Sequence, residues 1–208
     1  MQPELRGRHR PGSLFIRWWI IHLAGWTAVL LLFMLWEQIP ISSLPLRDNF
    51  ILVALLLGAV WGLVYWRGLR SRFNISVLRW MSGTAVGFFA GGTALIWAQL
   101  RDLYILTTPP GSGVLEWDPL LGGALFGLAL GLGLSWAWRL PSLLMLKWTV
   151  AHVVGWSAAL FFSHLTLYLL RGAPPMAHLW NLLELLLQGG ISGGVTGLGL
   201  LLIATDIP

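Results

Sequence analysis

"RWWIIHLAGWTAVL" at residues 17–30 and "KWTVAHVVGWSAAL" at residues 147–160 write one phrase twice, without a gap, 130 positions apart. A cation opens each copy and the rest falls in step: Arg17 with Lys147, Trp18 with Trp148, His22 with His152, Gly25 with Gly155, Trp26 with Trp156. A weaker third copy stands 62 residues after the first, in Arg79, Trp80, Thr84, Gly87 and Phe88. Self-similarity at a long period marks a repeat architecture, in which one supersecondary unit recurs.

Glycines between the copies supply its other half. "GALFGLALGLGL" (123–134) and "GGISGGVTGLGL" (189–200) match at an offset of 66, which lays Gly123, Gly127, Gly131 and Gly133 over Gly189, Gly193, Gly197 and Gly199. Gly58 and Gly62 are a shorter version, and Pro45, Pro109-Pro110 and Pro174-Pro175 recur between the two halves of each unit. The unit is a two-helix hairpin of about 65 residues, present three times in the same orientation. A basic tail at 1–13 precedes hairpins at 14–75, 76–143 and 144–205, and together they make one membrane domain. Parallel repeats of this kind predict a six-helix bundle with approximate threefold pseudo-symmetry.

The solvent of this bundle is lipid. The chain is 57% hydrophobic and 10% charged, and six charge-free windows (18–36, 49–66, 80–100, 119–138, 148–170 and 185–205) are each long enough to cross a bilayer core. Ten of the thirteen basic residues lie in the N-terminal tail or between spans two and three or four and five; six of the eight acids lie on the other side. Positive charge stays inside, so both termini are expected in the cytoplasm, and the membrane reads as a bacterial cytoplasmic one. The net charge of +5 then serves topology and anionic headgroups rather than nucleic acid. No cleavage site follows the first span, which belongs to the repeat and is not read as a signal peptide.

Helices in lipid gain little from apolar burial and associate instead by close backbone approach along small residues. Gly25, Gly87 and Gly155 on the odd spans, with Gly123, Gly127, Gly131, Gly189, Gly193 and Gly197 on the even ones, are therefore read as packing positions. Trp18, Trp19, Trp66, Trp80, Trp136, Trp138 and Trp148 are expected as an aromatic belt at the cytoplasmic interface, and Trp26, Trp61 and Trp156 deeper, filling core gaps.

Polar residues within spans carry the candidate functions. His22 and His152 follow their basic anchors at equal distance and so share a depth; two such imidazoles could ligate a haem or chlorin, or simply form interhelical hydrogen bonds. Thr84 at the third position favours the hydrogen bonds. His164 and Glu184 stand at equal distances from the centre of the last outer connection, and the antiparallel hairpin predicts that they meet. Glu184, Gln188, Ser192 and Thr196 recur every fourth residue along the sixth span as one polar stripe, the wall of a narrow polar path or interhelical glue. There is no HExxH, G-x-S-x-G, paired intramembrane aspartate or phosphate-loop pattern, and without cysteine there is no disulfide or thiolate ligand.

The W-x3-[ST]-x2-G-W spans, alternating with G-x3-G spans that end in "YWR" or "WAWR", resemble the uncharacterised Gly- and Trp-rich polytopic membrane proteins of cyanobacteria and Chloroflexi. The resemblance covers most of residues 17–200 and implies a membrane protein with no catalytic residues to carry over. His22 and His152 depart from the Ser or Thr of that pattern, and Thr84 keeps it. The expected role is non-enzymatic: a packing or accessory subunit, with no cofactor or metal, whose partners are the bilayer and other membrane subunits. The alternatives are a small transporter or channel along the sixth span, and a haem or pigment binder through His22 and His152.

Overall fold

The computed structural model describes residues 11–38, 50–70, 75–105, 118–169 and 177–205, and near some helix ends it describes the backbone alone. Its elements are six helices: α1 Pro11–Gln38, α2 Phe50–Leu69, α3 Val77–Ile105, α4 Asp118–Trp138, α5 Ser142–Leu169 and α6 Ala177–Ala204. All but α2 outrun the charge-free windows at their start. Arg17, Arg79 and Lys147 continue their helices because long basic side chains can reach out of the apolar zone while their backbone stays in it. Among the described residues, four helices contain stretches long and apolar enough to cross a membrane: Ile51–Leu69, Pro119–Trp138, Ser142–Thr166 and Leu186–Ala204.

One reversal is described in full. Arg139 takes a left-handed conformation (φ 58°) just past α4, its N–H donating to Trp136 O and that of Leu140 to Ser135 O. This six-to-one and five-to-two pair is a Schellman cap, a place usually taken by glycine. Pro141 follows, its carbonyl accepting from Met145 N, and α5 begins.

Each helix packs on its neighbours in the chain, and α6 returns to pack on α1. Among the described residues no other pair of helix backbones comes close, so the six form a closed ring in sequence order, and across its interior rings meet, Trp18 on Trp148 and Trp26 on Trp156 and Phe88. Large apolar residues face outward on every helix, among them Ile20, Leu56, Val86, Leu128, Val154 and Leu198. Buried polar side chains, including His22, Thr84, His152, Ser192 and Thr196, face inward. A bundle apolar on its outside and polar at points inside is built for a hydrocarbon solvent.

The interior is stacked in tiers. Trp18, Trp80 and Trp148 lie fully buried beside Leu69, Leu134 and Leu200 in one core cluster. His22, Thr84 and His152, with Tyr65, Leu130 and Thr196, are also fully buried. Phe88 and Trp156 are buried with Trp61, Phe126 and Ser192, while Trp26 is half-buried. The belt expected at the cytoplasmic interface is thus corrected for three members. Trp18, Trp80 and Trp148 precede the inward polar residue by four, which places them on the same helix face and turns them into the core. Trp19 and Trp136, at 39% and 61% exposure, are the ones that face outward.

Candidate functional site

The polar interior centres on His22. Ser192 has one proton, which it donates to the Gln188 carbonyl one turn back on α6. Its oxygen must therefore accept from His22 Nε2, at 2.9 Å. A neutral imidazole protonated at Nε2 leaves Nδ1 to accept, and the Tyr65 hydroxyl of α2 donates there. One directed chain runs from Tyr65 through His22 and Ser192 to the backbone of α6, and the network itself assigns the tautomer. Thr196 joins it by accepting from Trp18 Nε1 at 3.0 Å and donating to Ser192 O at 2.7 Å. Four rings enclose the imidazole, with centroids at 5.2 Å (Tyr65), 5.5 Å (Trp61), 6.0 Å (Trp18) and 6.1 Å (Trp156).

His152 takes the opposite tautomer. Its Nδ1–H donates to Trp148 O at 3.0 Å, leaving Nε2 as an acceptor, and no protein group meets that nitrogen. The Trp148 ring stands edge-on at 4.5 Å. Trp18 and Trp148, the rings that flank the two imidazoles, stand edge-on to each other at 5.4 Å, so the structure brings the two copies of the repeated phrase together in the core. His22 can ligate a metal only by surrendering Tyr65 or Ser192. Beside His152 the α4 backbone lies against α5: a Cβ on Gly127 would meet Val153 Cα at 2.8 Å. That approach leaves little room for a macrocycle between α4 and α5.

The stripe on α6 divides. Ser192 and Thr196 are buried in the network, and Gln188 Nε2 reaches Ser163 Oγ at a long 3.5 Å. His164 is half-buried, but the side chain of Glu184 lies outside the described residues, and with it the expected pairing.

Glycines stand where helices press closest. A Cβ on Gly123 would meet Ser157 Cα at 2.7 Å, and one on Gly131 would meet Thr149 Cα at 2.8 Å. Gly193 faces His22 Cβ at 2.8 Å, Gly197 faces Trp18 at 3.0 Å, and Gly189 faces Trp26 Cβ at 3.3 Å. On the odd helices Gly25 meets Trp61 at 2.9 Å, Gly87 meets Leu130 Cα at 2.9 Å, and Gly155 meets Ser192 O at 3.3 Å. Among the described residues no cluster of three or more His, Asp or Glu is placed to hold a metal.

Tyr65 escaped the sequence reading. The signal was available: it stands 65 residues before Leu130 and 131 before Thr196, on the inward register of the even helices.

An all-helical ring with an apolar outside, an internal polar network and four helices fit to cross a bilayer defines a membrane protein. Beyond that class, no family model, curated protein or solved structure matches the chain.

Proposed function

We propose that the chain is a non-catalytic packing or accessory subunit of a membrane complex. It crosses the bilayer six times as three hairpins related by approximate threefold pseudo-symmetry, with both termini in the cytoplasm. The observation that carries this reading is that the hydroxyls of the α6 stripe are engaged within the protein, by Trp18, His22 and their own helix, inside a core filled with large rings. A transport path needs polar groups that face a passing ion or solute, whereas these tie helices to one another. In support of the repeat, glycines at matching positions meet matching residues: Gly62 faces Thr84, Gly127 faces His152 and Gly193 faces His22. α1 and α3, at 28 and 29 residues, have the length to span and complete the same ring as the four apolar helices.

The test is reconstitution in vesicles, with native mass measurement of the mildly solubilised protein. The expected result is no proton, ion or small-solute flux above empty vesicles, a native mass that includes other subunits, and Ser192→Ala lowering thermal stability alone. Flux in the parent protein that Ser192→Ala abolishes would overturn the reading in favour of transport.

A further inference from the structure

The two copies of the repeated phrase meet different partners. In the first, two α6 hydroxyls complete the Trp–His pair, Thr196 accepting from Trp18 and Ser192 from His22. The α4 residues 66 positions before those hydroxyls are Leu130 and Phe126. In that second seam the Trp148 indole N–H and His152 Nε2 have no partner within the protein, although both residues are fully buried.

The indole N–H groups of Trp26, Trp61, Trp80 and Trp156 are also without a partner, and so are two hydroxyls of this seam, Ser135 Oγ on α4 and Thr149 Oγ1 on α5, which give it acceptors as well as donors. These hydroxyls break the habit of this bundle, in which Thr27, Thr84, Thr93, Thr166 and Thr196 each donate to a carbonyl one turn back. Gly131 relates the four groups of the seam. A Cβ there would meet Thr149 Cα at 2.8 Å and His152 Cβ at 3.2 Å, and Ser135 lies one turn further along the same face of α4. Trp148 precedes Thr149 and stacks edge-on to His152.

A donor-only indole, an acceptor-only imidazole nitrogen and two hydroxyls are the complement of water, which accepts from the first and donates to the second. A Cβ at Gly127 or Gly131 would strike the α5 backbone, which argues against any larger occupant between these helices. In a core surrounded by lipid, polar groups with no partner are strongly unfavourable. We propose that the α4–α5 seam is a buried hydration site, in which water bridges Trp148 Nε1 and His152 Nε2 with Ser135 and Thr149 as its further partners. His152 is thereby the core imidazole in contact with water, while His22 is sealed by Tyr65 and Ser192. The proposal takes its residue equivalences from the repeated-hairpin reading and does not depend on the accessory role.

The test is solid-state NMR of the protein in lipid with 15N-labelled histidine, following magnetisation from water to each imidazole nitrogen. His9→Gln, His164→Gln and His178→Gln assign the two core rings by elimination, and their opposite tautomers separate them. Transfer to His152 Nε2 with none to His22 is expected. No transfer at His152 overturns the site, and equal transfer to both rings overturns it as well, since the core would then be hydrated throughout. Leu130→Thr gives a second readout by placing a hydroxyl where Thr196 stands in its own seam. Its Tm is expected to fall by no more than about 2 °C, against about 5 °C or more for the same exchange at Leu134. Equal losses would overturn the equivalence. Solute flux in vesicles would refute the accessory role and leave these readouts untouched.

Discussion

The α6–α1 seam and the α4–α5 seam hold the same phrase against the same kind of helix, and they finish it differently. In both, a glycine of the even helix presses on the histidine of the odd one, Gly193 on His22 and Gly127 on His152. Ser192 and Thr196 close the first seam with hydrogen bonds, whereas Phe126 and Leu130 occupy the corresponding places in the second. The tautomers follow from this. His22 donates from Nε2 because Ser192, its own proton given to Gln188 O, can only accept, and His152, with no polar side chain of α4 in the matching place, turns its Nδ1–H to its own helix. The lesson is that the phrase supplies a donor and an imidazole, while two residues of the partner helix decide what those groups do.

Substitutions at the seams sharpen the contrast. The largest effect is expected from Gly127→Ala, whose new methyl would strike the α5 backbone, which cannot move aside without separating the helices. A loss of about 3 kcal/mol is expected from such overpacking, read by unfolding in mixed micelles. Gly193→Ala meets the His22 side chain instead and is expected to cost less; equal losses would mean that the two seams are equally tight. Thr196→Val removes the acceptor of Trp18 while keeping its shape, and the stranded buried indole is expected to cost about 2 kcal/mol. A double-mutant cycle of Trp18→Phe with Thr196→Val isolates that bond, with a coupling of about 1 kcal/mol expected and additivity counting against it. The smallest effect belongs to Gly194→Ala, because a Cβ there meets nothing within 4 Å. It is expected to gain about 0.5–1 kcal/mol from helix propensity alone.

Much of this architecture is legible in the residues. The charge-free windows locate all six helices, because lipid forces each apolar run to close its own backbone hydrogen bonds. The glycines of the G-x3-G runs stand where neighbouring helices come closest, since only a missing Cβ permits such an approach. The direction of the tryptophans was not legible in the same way. Trp18, Trp80 and Trp148 sit beside basic anchors, which suggests an interface, and only their spacing of four from His22, Thr84 and His152 reveals that they turn inward. The site was half legible. His22, Ser192 and Thr196 stand out as polar residues in apolar spans, but one sequence does not say which stripe faces which ring. Tyr65 and the unmatched seam at Trp148 depend on helix order around the ring, a property of tertiary packing.

That ring closes only if α6 returns to α1, and the internal network depends on that closure. The absence of native cysteine makes the closure directly measurable by crosslinking Trp26→Cys with Gly189→Cys, whose Cβ atoms would lie 3.3 Å apart, close to the roughly 3.8 Å of a disulfide. Oxidation of this variant in its membrane is expected to join α1 to α6 within one chain, so that cleavage between residues 106 and 117 leaves the two fragments linked. Fragments that separate, or a link that forms only between two chains, would contradict the closed ring and the internal network that depends on it.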